Sequence, residues 1–159
     1  MEEKETILCL APSTIKKSMF KTETWTIIIT NKRFVFAKYT PDIISKEAKE
    51  RREEAKVQGK NRFGQFLAQA SASFSWYTRY NDMTPEEVLK ECAENYYLTP
   101  KDIINYQLKK GRVYKDEDDV TRDDPHQLVL NTNRGKLVFT TVANYTDLQD
   151  ALNLLFHSM

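Results

Sequence analysis

The sequence predicts an α+β fold: a small antiparallel β-barrel or sandwich, interrupted by a helical insertion and closed by a C-terminal helix. Two observations carry this. Short β-branched and aromatic runs lie on both sides of a charged, helix-prone middle, and the last residues carry an apolar stripe at helical spacing. A chain of 159 residues fits one domain that can bury a core without disulfide or metal staples. Residues 1–159 are therefore read as one domain, with 41–94 as an insertion within it.

The first strands come before Pro41. Thr6-Ile7-Leu8-Cys9-Leu10 is a short apolar run, and Thr14 to Phe20 continues it after a break at Pro12. Thr24 to Thr30 is β-branched and aromatic, and Arg33 to Tyr39 follows across the link Asn31-Lys32, so the two form a hairpin. Alternation puts Phe34 and Phe36 on one face and Arg33, Val35 and Ala37 on the other.

From Pro41 the character changes. Residues 42–58 alternate charges, with Glu47–Arg51 and Lys49–Glu53 at helical i,i+4 spacing, and Gly59 stops the run. Asn61 then caps a second helix reaching about Tyr80. Phe63, Phe66, Leu67, Ala70, Phe74 and Tyr77 form its bulky stripe, and Gly64, Ala68, Ser71, Ala72 and Ser75 form a second face of small residues. A third helix starts at Thr84-Pro85-Glu86-Glu87, where Thr84 and Glu87 make a capping box and Pro85 takes the first helical position.

β-structure resumes at Tyr96. Asp102 to Leu108 is a strand with Ile104, Tyr106 and Leu108 on one face, and Gly111-Arg112-Val113-Tyr114 turns back into a polar, acidic loop over 115–125. Gln127 to Asn131 and Lys136 to Thr141 form a hairpin around Asn133-Arg134-Gly135. Leu148, Leu152, Leu155 and Phe156 share one stripe of a final helix from about Tyr145, which packs on the sheet.

Three of these segments, in this order, resemble the PH-like superfold, most closely its GRAM and bacterial PH branches. Ile28-Ile29-Thr30-Asn31-Lys32-Arg33-Phe34-Val35-Phe36 looks like their hydrophobic-Thr-x-x-Arg-hydrophobic hairpin. Tyr97-Leu98-Thr99-Pro100-Lys101-Asp102-Ile103 is similar to their Ile-Pro-Leu-x-x-Ile step, with Thr-Pro where Pro-Leu is usual. Leu128 to Phe139 and the helix after it look like their last hairpin and capping helix. The likeness covers about residues 5–40 and 95–157. It implies a PH-like antiparallel β-barrel, bent and plugged at one end by the final helix, with the insertion leaving after the third strand at the open mouth. It also implies a binding or scaffolding role. Fold does not fix function, so sites are argued from residues.

Catalysis finds no support in the sequence. His126 lies beside a loop proline and His157 near the terminus, and neither has a local nucleophile or carboxylate partner. Metalloprotease, paired-cysteine and phosphate-loop motifs are absent. Asp116-Glu117-Asp118-Asp119 lacks the alternating ligands and central glycine of a calcium loop and reads as a solvated hairpin loop. Cys9 and Cys92 read as buried thiols of a reducing compartment. No metal and no cofactor are expected. A net charge of +1 argues against a dedicated nucleic-acid binder. The acidic start is no signal peptide, and the apolar runs are far short of a membrane span. The expected location is cytoplasmic, with peripheral membrane contact as an alternative.

Two surfaces remain. The small face Gly64, Ala68, Ser71, Ala72 and Ser75, with Trp76 and Tyr80 as aromatic anchors, either packs inside the chain or forms a partner or self-association surface. The leading expectation is thus a non-enzymatic adaptor acting by protein–protein contact, a homo-oligomer being one form of it. The alternative is a peripheral module binding anionic lipid through Lys16, Lys17, Lys21 and Arg134. Charge alone makes that attraction weak, about 1 kcal/mol per basic residue. Lipid binding of this kind fades in a vesicle assay as salt rises from about 50 to 300 mM, whereas salt-insensitive discrimination of isomeric phosphoinositides would indicate a stereospecific pocket.

Overall fold

A computed structural model describes residues 3–40, 42 and 76–157. The expected helix over 42–58 and most of that over 61–80 lie outside the described residues, and so do Gly64, Ala68, Ser71, Ala72 and Ser75. The chain divides into two compact units, one of residues 1–38 and 84–159 and one of residues 39–83. In the smaller unit, Trp76–Asp82 is 3₁₀ rather than α-helical, and Tyr80 is fully buried.

The larger unit is α+β. Its strands are β1 (Ile7–Ser18), β2 (Lys21–Thr30), β3 (Phe34–Lys38), β4 (Tyr96–Leu98), β5 (Ile103–Lys109), β6 (Val113–Lys115), β7 (Thr121–Asp123), β8 (His126–Thr132) and β9 (Gly135–Thr141). Its helices are α1 (Pro85–Glu91) and α2 (Tyr145–His157). Seven strands form an antiparallel sheet in the order β4-β3-β2-β1-β9-β8-β5, curled into a half-barrel; β6 and β7 pair as a separate arm. The sheet is continuous because β1 is long enough to pair with β2 along its length and with β9 at Ser13–Ile15. Pro12 does not break it. The β1–β9 ladder begins one residue later, so the missing N–H takes nothing from it, and the Pro12 carbonyl accepts a bond from Thr141 Oγ1 at 2.9 Å.

Two hairpin turns use the same chemistry. Thr30 Oγ1 accepts the N–H groups of Lys32 and Arg33 at 3.1 and 3.0 Å. Thr132 Oγ1 accepts the N–H of Arg134 at 3.1 Å and donates to the Gly135 carbonyl at 2.7 Å. Gly135 sits at φ 133°, where a side chain would strain the backbone. Arg33 then locks the first turn to its surroundings. It holds Glu5 with two bonds of 2.9 and 3.1 Å and Glu86 at 2.6 Å, and its guanidinium lies 4.7 Å from the Tyr97 ring centre. The Thr and Arg of the Thr-x-x-Arg pattern are thus structural here, tying the N-terminal segment, the hairpin and α1 together.

The concave face is filled by Ile27, Ile29, Phe34, Phe36, Leu128, Leu130 and Phe139, and α2 lays Leu148, Ala151, Leu152 and Leu155 into it. Phe36 stacks on Tyr96 and Phe139, and Phe156 meets Phe34 and Tyr106. Asn144 caps α2, its side-chain oxygen accepting the Asp147 N–H at 3.0 Å. The outer side of β3 is buried as well: Val35 and Ala37 are fully covered, and α1 packs on this strand. The capping box of α1 is as expected, with Glu87 N–H on Thr84 Oγ1 at 3.2 Å and Thr84 N–H on Glu87 Oε2 at 2.8 Å.

Two expectations need correction. A bulge between Ile103 and Asn105 turns Ile103 inward and leaves Ile104 71% exposed, so Ile104 does not share the packed face of Tyr106 and Leu108. The acidic loop is a hairpin: Val113–Lys115 pair with Thr121–Asp123, and Asp116 Oδ1 closes the turn by accepting the N–H groups of Asp118 and Val120 at 3.0 Å each. At the arm's root Gly111 is indispensable, because a Cβ there would lie 2.0 Å from the Asp124 carbonyl oxygen.

Leu152 is 1% exposed under the curled sheet. Leu152→Ala should therefore lower unfolding stability by about 2–5 kcal/mol in denaturant titration. An unchanged midpoint would mean the helix does not close the core.

Candidate functional site

The turn joining β1 to β2 is two residues long, Met19-Phe20, and these are the most exposed large apolar side chains described, 79% and 96% accessible. Lys16, Lys17, Ser18 and Lys21 flank them and are all exposed. A bulge at Lys17 adds a residue to β1 just before the turn. The tip is therefore an apolar pair on a collar of three lysines.

Register sets what surrounds it. Ile15 pairs with Phe139, so Met19 and Gly135 lie four residues out in the same direction along antiparallel neighbours. The β8–β9 turn, with exposed Arg134 and Lys136, thus points to the same end of the sheet as the tip. Trp25 pairs with Lys38, which brings the end of β3 there too. Lys32 and Arg33 lie at the other end of ten-residue β2, about 30 Å away. That is several Debye lengths at physiological salt, so they contribute nothing to the tip's field. The structure thus gathers Lys16, Lys17 and Lys21 at one turn, and Arg134 lies on the β8–β9 turn, whose Asn133 N–H bonds to the Asp102 carbonyl at 3.0 Å.

Beneath the tip, the mouth of the concave face is charged but balanced. Glu23, 11% exposed at its side chain, lies 3.0 Å from Lys38 Nζ, 3.8 Å from Lys17 Nζ and 3.9 Å from Lys21 Nζ. Lys38 also pairs with Glu94. The Lys38 bond holds the Glu23 carboxyl below the ordinary glutamate range, and the bonds to Glu94 and Glu23 raise the Lys38 ammonium. Trp25 and Tyr96 floor this cluster with ring centres 5.6 Å apart, and burial pushes the Tyr96 phenol up to about 12. Because Glu23 already engages three lysines, the mouth offers little uncompensated positive charge to a compact phosphate. Of the collar, Lys17 and Lys21 share Glu23 with Lys38, and Lys16 stands apart from that carboxylate.

Sequence reasoning missed Met19 and Phe20. Period-two alternation carries the strand through them, and the turn lacks the Gly, Asn, Asp or Pro that marks one. The usable signal was an apolar pair between lysines in the middle of a strand-like run. Elsewhere, His126 is spent on structure: its Nδ1 accepts the Gly111 N–H at 2.9 Å and its ring lies 5.3 Å from that of Tyr145. Burial raises the Cys9 thiol to about 11, so it is a poor nucleophile at neutral pH. Among the described residues no group of three His, Cys, Asp or Glu could hold a metal ion, and no helix is long and apolar enough to cross a membrane. The Trp76 backbone lies in the 3₁₀ segment beside Tyr80. No protein-family model, curated protein or solved structure matches the chain.

The depressed Glu23 carboxyl gives a signed pH dependence. A carboxylate with a lowered folded-state pKa stabilises fully above its unfolded pKa, and the contribution is lost as pH falls through the folded value. The melting temperature should fall on acidification below the ordinary glutamate range, and Glu23→Gln should reduce that slope. An unaltered slope in Glu23→Gln would show that the cluster carries no linkage.

Proposed function

We propose that the chain is a non-enzymatic, PH-like binding module that docks on anionic membrane surfaces through the β1–β2 tip. The single observation carrying this is the pair Met19 and Phe20, almost wholly exposed at the end of a hairpin and ringed by Lys16, Lys17 and Lys21. Exposing two large apolar side chains at a point is unfavourable in water and useful at a bilayer interface. Burying a Phe or Met side chain is worth about 1.5–3 kcal/mol, and each lysine near an anionic surface adds about 1 kcal/mol. The apolar share is thus comparable to the charge share, which lifts the interaction above the weak attraction expected from lysines alone.

The PH-like reading is supported by the curled antiparallel sheet, by the final helix seated in its concave face, and by the departure of the insertion after β3 at the tip's end. Glu23 favours a surface contact over a stereospecific head-group pocket, because its one carboxylate is close to Lys38 inside the mouth, while Lys17 and Lys21, at 3.8 and 3.9 Å from it, keep exposed side chains. The adaptor reading through the insertion rests on Gly64, Ala68, Ser71, Ala72 and Ser75, which lie outside the described residues.

Vesicle co-sedimentation separates the two energy sources. Met19→Ser with Phe20→Ser should weaken binding to anionic vesicles by about 100-fold or more, from the apolar burial lost. The loss should persist at high salt. Lys16→Ser with Lys17→Ser should cost about 10- to 30-fold at low salt and little at high salt. Equal binding by wild type and the Met19/Phe20 variant would refute the membrane role of the tip.

A further inference from the structure

The end of the sheet opposite the tip carries the β6–β7 arm. Ile103 pairs with Thr132 beside the Arg134 turn, and Lys109 pairs with Gln127, so the arm leaves β5 and rejoins β8 at the far end. The arm is a two-stranded ribbon, separate from the seven-stranded sheet. Val113, Tyr114 and Val120 on it are 65%, 47% and 48% exposed, although a two-stranded hairpin alone is marginally stable in water. Register puts Tyr114 and Val120 on one face, because Tyr114 pairs with Arg122 and residues two apart share a face. Its turn is Asp116-Glu117-Asp118-Asp119. The tip and the arm are thus apolar projections of opposite charge at opposite ends of one unit, in a chain whose net charge is only +1.

We propose that these two projections bind each other between copies of the chain, the Met19-Phe20 tip of one seated on the Tyr114–Val120 face of the next, with Lys16, Lys17 and Lys21 against the acidic turn. Charge complementarity and paired apolar surface select a second copy as the occupant. Such a contact joins two different patches and is therefore head-to-tail: it closes no dimer and extends into chains unless a ring forms. It also covers the tip, so an associated copy presents one free tip per chain of molecules. The association needs no lipid, and it stands or falls independently of the membrane reading.

Sedimentation velocity without lipid, from about 1 to 500 µM and at about 50 and 500 mM salt, tests it. Wild type should grow in mean mass with concentration past a dimer, and salt should reverse this. A tip variant (Lys17→Glu with Phe20→Ser) and an arm variant (Asp118→Lys with Val120→Ser) should each stay monomeric, since each keeps one half of the contact. Mixed in equal amounts, they should form a heterodimer that does not grow, through the intact arm of the first and the intact tip of the second. All four residues are exposed, and a thermal melt checks that both variants remain folded. A monomeric wild type at every concentration would overturn the proposal. So would association that survives in the tip variant but not in the arm variant, which marks an arm-to-arm contact. Variants that stay monomeric when mixed, beside a wild type that associates, would overturn it equally.

Discussion

Everything in the larger unit depends on α2 filling the concave side of the sheet. A curled seven-stranded sheet exposes one apolar face and two unjoined edges, β4 and β5, so it cannot close on itself. Leu148, Ala151, Leu152 and Leu155 supply the missing layer, and Phe156 extends it between Phe34 on β3 and Tyr106 on β5. The helix thereby links strands from the two halves of the sheet that do not hydrogen-bond to each other. Packing of this kind is felt to the methylene, which is why one buried leucine is worth several times the energy of any surface ion pair here.

The two ends of the sheet have unlike chemistry as a result. At the Arg33 end, charges are consumed by structure: Arg33 is pinned by Glu5 and Glu86, and these bonds raise its pKa while lowering that of Glu86. At the other end, Glu23 and Glu94 hold Lys38, while Lys16, Lys17 and Lys21 stay exposed beside Met19 and Phe20. A short hairpin can hold an apolar pair in water only because β1 and β2 are long and firmly paired below it, through Trp25, Ile27 and Ile29 in the core.

What was legible in the sequence was local. The capping box at Thr84 and Glu87 uses residues three apart, and the stripe on α2 repeats within one helix, so both are visible without tertiary knowledge. The hairpin at Asn31-Lys32 and the turn at Gly135 follow from local turn chemistry. Ile104 was misplaced because a bulge shifts the alternation by one, and no residue in Ile103-Ile104-Asn105 announces it. The arm was read as a loop because its three-residue strands are too short to show a period. The grouping of Lys16, Lys17 and Lys21 was available from their positions, but the sharing of Glu23 by Lys17, Lys21 and Lys38 joins three strand positions that the sequence does not place together.

The proposed entry of the β1–β2 tip into an anionic bilayer is open to a direct measurement of depth. A nitroxide at position 20, introduced as Phe20→Cys in a chain with Cys9→Ala and Cys92→Ser, reports its depth by electron paramagnetic resonance. With anionic vesicles the label should become more accessible to oxygen and less accessible to a water-soluble nickel complex, while the same label at Lys32, at the far end of β2, should not change. A label at position 20 that stays equally accessible to the nickel complex with vesicles bound would contradict the account.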